Sequence, residues 1–312
     1  MSYTRIALSG ATGNLGGPIL KVLLDAGFRV TALTRNGGNL SRLPVHSSLE
    51  IIEVDINSVE SLLPALAGID VVISCLATLA IGGQKPLIDA AVSAGVKVFI
   101  PAEFGMDSTN SLCAQLPVCA PKVAVQDYLL KMSRETPAFT FTAIANGLFL
   151  DWGLENGLIV DLKDHKAILY NGGDVTFSAT TLADVAMAVL GVIRNRPQTA
   201  NRVVFIHSAL VTQKQLIGYA KDVDGIVWST SVKDTEELRR ECLAELAKGS
   251  DADVDAAMLG FCFCGSLTLD YGCDFSSKLD NNLLGVKGMS DDELHSMVVD
   301  YLGKLYSYGV NT

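Results

Sequence analysis

Seven residues, Gly10-Ala11-Thr12-Gly13-Asn14-Leu15-Gly16, separate the apolar run Ile6-Ala7-Leu8 from a stretch with Ile19, Leu20, Leu23 and Leu24 on one helical face. Strand, tight glycine turn and helix in that order confine the chain to α/β folds whose first turn cradles a phosphate. Gly10 permits a turn that a Cβ would obstruct. Gly13 lets the backbone approach a pyrophosphate, and Gly16 lets the helix pack closely on the strand. Free N–H groups and the helix dipole then face the anion. Thr12, Asn14 and Leu15 share the turn and are assigned with the three glycines to that site. The spacing is G-x-x-G-x-x-G, not G-x-G-x-x-G, so the assignment rests on the strand before and the helix after.

Apolar runs at Ile6–Leu8, Val30–Leu33, Ile51–Val54, Val71–Ile73, Val96–Ile100 and Phe139–Ile144 alternate with helix-like stretches at about 15–26, 58–67, 84–94 and 121–134. Repeated strand–helix units predict an α/β fold with a Rossmann-type, doubly wound parallel sheet. The strands are continuously apolar, as a sheet buried on both faces requires. After Asn146 the pattern changes. Short extended segments over 166–178 surround the turn signal Asn171-Gly172-Gly173-Asp174. A helix over 181–193 is entered by Thr180 or Thr181, and Val203–Ile206 reads as a strand returning to the sheet. Helical patterns follow at 212–221, 233–247 and 290–305, the last opened by a capping box of Ser290 and Glu293. The expected organisation is a dinucleotide-binding domain over 1–150, rejoined by the strand and helix near 181–206. A smaller C-terminal α+β substrate lobe over 151–312 then lies across the carboxyl ends of the strands.

Of the 312 residues 49% are hydrophobic and only 19% charged, enough for a sizeable core and against disorder. No stretch of about 18 uninterrupted apolar residues occurs, and no basic segment precedes an apolar one at the start. A soluble, cytoplasmic protein without membrane contact is expected. The net charge of −10 is uneven: residues 1–150 carry 11 acidic and 10 basic side chains, residues 151–312 carry 23 and 14. An acidic surface repels a polyanion, which argues against nucleic acid as a partner. The seven cysteines contain no C-x-x-C pair and read as structural thiols. His46, His165, His207 and His295 are scattered, so no metal site is expected.

The end of the second strand, Thr34-Arg35-Asn36, selects the nucleotide. An NAD site normally has a carboxylate there, which would repel a 2′-phosphate that Arg35 attracts. NADPH or NADP is therefore expected, with Arg42 as a second cation. Asp55, ending the third strand, either accepts from the adenine amine or caps the following helix. The Tyr-x-x-x-Lys pair of short-chain dehydrogenases is absent, because Met132 stands four residues after Tyr128. Lys122 begins a helix after Pro121, with Val125 and Leu129 apolar at helical spacing. Its amine is expected to face the cleft and pass a proton; a surface lysine at a helix start is the other reading.

Gly10–Gly16, Thr34-Arg35, Gly68-Ile69-Asp70-Val71-Val72-Ile73-Ser74 and Pro101-Ala102-Glu103-Phe104-Gly105-Met106-Asp107 form a set with Lys122 and Asn146-Gly147-Leu148-Phe149. The set resembles the NmrA-like branch of the atypical short-chain dehydrogenases, and within it the isoflavone reductase-like enzymes. The resemblance spans about residues 4–195 and weakens afterwards. Family members read Pro-Ser-Glu-Phe-Gly where this chain has Ala102. What the resemblance implies is a catalytic lysine at Lys122, positioning or protonating a substrate oxygen while NADPH delivers hydride. Phe104 and Asn146 would border the nicotinamide, and Ala77 is placed among the cofactor contacts. Phe149 and Trp152 would wall an aromatic-accepting pocket. Leu79, Met106, Leu112 and the residues around Phe261–Phe263 are candidates for its rim, although aromatic clusters also build cores.

Three functions fit these features. The first is an NADPH-dependent reductase of a small, mostly apolar, aromatic secondary metabolite, acting as a monomer or homodimer. The second is an NmrA-type dinucleotide sensor without turnover, against which Lys122 counts. The third is a redox-neutral isomerase or cyclase that keeps the nucleotide as structure.

Overall fold

Alternating buried strands and amphipathic helices build a seven-stranded parallel sheet in the computed structural model, which describes residues 4–309. In chain order the first half runs β1 (Arg5–Ser9), α1 (Gly16–Asp25), β2 (Arg29–Thr34), β3 (Leu49–Glu53), α2 (Val59–Ala65), β4 (Val71–Ser74), α3 (Lys85–Ser93), β5 (Val98–Ile100), α4 (Ala120–Glu135) and β6 (Thr140–Ala145). It continues through β7 (Leu148–Phe149), α5 (Leu150–Glu155), β8 (Lys166–Tyr170), β9 (Phe177–Thr180), α6 (Leu182–Arg194), α7 (Arg196–Thr199) and β10 (Arg202–Phe205). The last part holds β11 (Ala209–Val211), α8 (Gln213–Asp224), β12 (Ser229–Lys233), α9 (Thr235–Leu246), α10 (Val254–Ser266), α11 (Asn281–Leu284) and α12 (Asp291–Gly309).

The large sheet has the order β10-β6-β5-β4-β1-β2-β3, with every pair parallel. Successive side chains of a strand point to opposite faces, and the core divides accordingly. Ile6, Leu8, Val30, Ala32, Val71 and Ile73 pack with α1 and α6 on one face. Ala7, Leu33, Val72 and Phe99 pack with α2, α3 and α4 on the other. The chain moves outward in both directions from β1, to β2 on one side and β4 on the other. That switch point is where open α/β sheets receive ligands, at the carboxyl ends of the strands.

A second core gathers Leu150, Phe177, Val211, Leu216, Val298 and Leu302 around two small sheets, β11-β9-β7 and β12-β8. Gln213 pins this lobe from within. Its buried amide accepts from Tyr170 N at 2.9 Å and donates to the carbonyls of Ile159 and Ile168 at 2.9 and 2.8 Å.

Local signals placed most boundaries. Thr181, not Thr180, caps α6 by accepting from Asp184 N. Ser290 and Glu293 exchange the two bonds of the capping box before α12. The strand expected from Val96 starts two residues later, because Val96 N is still bonded to Ala91 O in the turn that ends α3. The short extended segments expected over 166–178 are β8 and the start of β9, and the turn between them has positive φ from Asn171 through Gly173. Asp55 is not a helix cap: Ser58 caps α2, and the Asp55 carboxylate accepts from Asn57 N.

Replacing Gln213 by Met strands one buried N–H and two carbonyls. Each such group costs about 1–3 kcal/mol. Partial relaxation leaves an expected loss of about 3 kcal/mol in unfolding free energy, measured by urea denaturation. A loss below about 1 kcal/mol would show that the lobe does not depend on this amide.

Candidate active site

The glycine turn closes backbone against backbone. Gly10 has φ +77°, and a Cβ there would lie 2.3 Å from the Cys75 carbonyl oxygen. At Gly16 a Cβ would lie 2.0 Å from the Gly10 carbonyl oxygen, so α1 can begin this close to β1 only without a side chain. Gly13 differs: its N–H donates to Gly10 O at 2.9 Å, and the nearest atom to a Cβ would be that oxygen at 3.2 Å. Its outer face is exposed, and no side chain caps α1. Amides left in that state at a helix start are suited to an anion.

Arg42 reaches back to this turn, its Nη1 donating to the Thr12 carbonyl at 3.3 Å. Arg35 is exposed directly after β2, with no side-chain bond among the described residues. Asp55 is exposed after β3, and Ala77 is exposed just beyond β4.

On the other side of the switch point, the loop after β5 is fixed from several directions. Buried Gln84 accepts from Ala102 N at 2.9 Å and donates to Ile81 O at 3.0 Å. The Glu103 carboxylate, 2% exposed, accepts from Ser108 Oγ and from Gln126 Nε2, the latter at 3.0 Å. Lys122, four residues before Gln126 and on the same face of α4, donates from Nζ to the Glu103 carbonyl oxygen. Lys122 is 5% exposed, so its amine is largely withdrawn from solvent where it meets the loop. A Cβ on Gly105 would lie 3.0 Å from that Nζ. The Gly105 carbonyl accepts from both Asn146 N and Gly147 N at 2.9 Å, which joins the lysine's loop to the end of β6.

Asn146 is fully buried. Its Nδ2 donates to Gly147 O at 3.0 Å, while Oδ1 has no partner. Leu15, Cys75, Phe104 and Phe149 are half-buried and pack on the same core cluster at the carboxyl edge of the sheet. Phe149 and Trp152 meet edge to face with centroids 6.5 Å apart. Cys262 of α10 is half-buried; burial pushes its thiol up to about 11, and the nearby Lys122 charge works the opposite way.

Other rim candidates lie elsewhere. Met106 is 4% exposed and sits in the core with Cys113, Leu116, Cys119, Phe261 and Cys264. Its sulfur lies against Gly265, so it is placed as a packing residue. Phe263 stacks on Tyr170 inside the second lobe, with centroids 5.3 Å apart. Leu79 and Leu112 are exposed.

Sequence reasoning missed Lys278. Its ammonium pairs with the buried Asp107 carboxylate and lies over the Phe205 ring at 4.1 Å. Asn110 Nδ2 adds a bond to Asp270 O at 3.1 Å, so the segment before α11 is strapped to the loop that carries Glu103. Gln126 was readable from its spacing to Lys122, whereas a lysine 171 residues from its partner carries no local signal. Among the described residues no group of three or more His, Cys, Asp or Glu side chains is placed to hold a metal ion. No described helix is long and apolar enough to cross a membrane.

Sheet order, uncapped glycine turn and switch-point cleft define a Rossmann-type α/β protein. Residues 2–225 match the NmrA-like family, and the chain belongs to it. It is 34% identical over 248 residues to the oxidoreductase aprR of Aspergillus flavus, covering 78% of this chain and 82% of that protein. To the isoflavone reductase of Medicago sativa it is 27% identical over 260 residues, covering 75% and 80%. Among solved structures, the leucoanthocyanidin reductase–NADPH complex from Vitis vinifera superposes with a TM-score of 0.75 at 18% identity, covering 96% of this chain and 99% of that one. The similarity of fold thus extends through the C-terminal lobe.

Lys278→Met leaves Asp107 buried without its cation. Breaking a buried pair costs about 3–5 kcal/mol. The lysine side chain is one-third exposed, which moves the expected loss to about 2–3 kcal/mol. Asp107→Asn in the same background should recover part of it in a double-mutant cycle followed by thermal unfolding. Full additivity would show that the two groups do not interact.

Proposed function

We propose that the protein is an NADPH-dependent reductase of a small, mostly apolar, aromatic metabolite, with Lys122 as the residue that positions and protonates the substrate oxygen. One observation carries this reading. Among the described residues the buried Lys122 ammonium has a single hydrogen-bond partner, a backbone carbonyl, and no carboxylate at ion-pair distance. A buried cation with spare donors is costly unless an acceptor completes it. A substrate oxygen is such an acceptor.

The residues at the edge of the sheet fit a phosphorylated nicotinamide nucleotide. The amides of Gly10–Gly16 would hold the pyrophosphate, with Gly13 open to its approach. Arg35 and Arg42 would hold the 2′-phosphate, and Asp55 the adenine amine. Ala77, Phe104 and Asn146 would border the nicotinamide, with the unpaired Asn146 Oδ1 as a ready acceptor. When bound, NADPH supplies a hydride for an electron-poor carbon.

The chain's own residues do the rest. The Glu103 carbonyl fixes the Lys122 ammonium, whose remaining protons can reach a substrate oxygen and neutralise its developing charge. Gln126 and Ser108 hold Glu103, so this geometry is set before substrate arrives. Phe149 and Trp152 supply an apolar wall that excludes water and accepts an aromatic ring. The oxidoreductases among the relatives, isoflavone reductase in particular, support reduction of an aromatic substrate over a sensing role.

Lys122→Ala should lower turnover by about 10²–10⁴-fold, the range for losing a positioned proton donor. NADPH affinity, read by fluorescence titration, should stay nearly constant. Unchanged turnover would remove the lysine from the mechanism. Arg35→Ala should weaken NADPH by roughly 10–100-fold and NADH far less, because a charge-assisted bond contributes about 1.5–3 kcal/mol. Equal losses would contradict the 2′-phosphate assignment. With stereospecifically deuterated NADPH, label is expected in the product; an unlabelled product would establish redox-neutral chemistry instead.

A further inference from the structure

Cys113 and Cys119 are both fully buried, and their sulfurs lie 3.6 Å apart, the one thiol–thiol contact among the described residues. Two consecutive turns bring them together: Leu116 N donates to Cys113 O at 3.0 Å and Cys119 N to Leu116 O at 2.8 Å. Cys119 is the residue that enters α4, and Lys122 follows in the first turn of that helix. Cys113 also lies against α10, where a Cβ on Gly265 would lie 3.3 Å from its sulfur. The proposed reduction uses neither thiol.

We propose that Cys113 and Cys119 form a redox site that takes a hydroperoxide and closes to a reversible disulfide, shifting the first turn of α4 and with it Lys122. The chemistry balances without a metal or a nucleotide. Cys119 sulfur attacks the terminal peroxide oxygen and the O–O bond breaks. Cys119 becomes a sulfenic acid, and the alcohol leaves with the thiol's proton. Cys113 sulfur then attacks the sulfenic sulfur: the S–S bond forms, the S–O bond breaks, and water leaves with the Cys113 proton. Two thiols lose two electrons, and the peroxide gains them.

The two sulfurs are not equivalent. The contact with Cys113 and the nearby Lys122 charge hold the Cys119 thiol below its ordinary range, while the same contact and burial push Cys113 up. Cys119 also stands at the start of α4, three residues before Lys122, where the helix dipole favours a thiolate, so it is the attacking sulfur and Cys113 the resolving one. A disulfide requires sulfurs about 2.05 Å apart. Closure must therefore draw Cys119 inward by about 1.5 Å, since α10 backs Cys113. Burial means that the oxidant enters only when the loop before α4 opens.

The test uses the whole reduced protein, treated with hydrogen peroxide, alkylated and digested with trypsin. No Lys or Arg lies between Lys97 and Lys122, so both cysteines leave in one peptide. That peptide is expected without alkyl groups and lighter by two hydrogens, and dithiothreitol should reverse the change. Amide exchange over the first turn of α4 should rise by about tenfold in the oxidised protein, as expected for local opening. Cys113→Ser should stop at the Cys119 sulfenic acid, trapped with dimedone, without the change in exchange. A doubly alkylated 98–122 peptide after peroxide, or a disulfide that leaves exchange at α4 unaltered, would overturn the proposal. Neither reading requires the reductase assignment to hold.

Discussion

The bond from the Lys122 ammonium to the Glu103 carbonyl joins the two halves of the candidate site. A charge withdrawn from water must be satisfied by acceptors, and here the backbone of a short loop supplies the first one. That loop is in turn over-determined. Gln84 holds Ala102, Gln126 and Ser108 hold the Glu103 carboxylate, Gly105 accepts two amides from the end of β6, and Lys278 pairs with Asp107. Contacts from the 3-10 turn Thr78–Gln84 before α3, from α4, from the sheet and from the C-terminal lobe meet within a few residues. The lysine therefore has a fixed place in the protein before any ligand is present.

The glycine turn separates two kinds of requirement. Gly10 and Gly16 are explained by the protein's own packing, because a side chain at either would overlap backbone. Gly13 is not, because its neighbour stands at the edge of normal contact and its outer face is open. Under the proposed function, an approaching phosphate would account for that opening. Asn146 is anchored through its backbone and Nδ2, while its buried Oδ1 has no partner among the described residues.

Much of the Rossmann half was legible because its strands are continuously apolar and its helices carry one apolar face each. Lys122 could be singled out because it follows a proline at a helix start, and Ser290 with Glu293 because a capping box is local. The rest depended on contacts remote in sequence. Helix α10 is buried on several sides, so Phe261–Cys264 show no amphipathic period. Strand β12, Ser-Thr-Ser-Val-Lys, is mostly exposed and lacks the apolar signal of a core strand. Met106 lies in an irregular loop, where no periodicity distinguishes an inward side chain from a cleft-facing one, and it points into the core. Asp107 and Lys278 find each other only because two lobes close over the same edge.

The most direct test is a crystal structure of the protein grown with NADPH. The pyrophosphate is expected on Gly10–Gly16, the 2′-phosphate between Arg35 and Arg42, and the nicotinamide beside Lys122 and Asn146. Nucleotide bound elsewhere, or with its nicotinamide turned away from α4, would contradict the assignment of this edge as a reductase site.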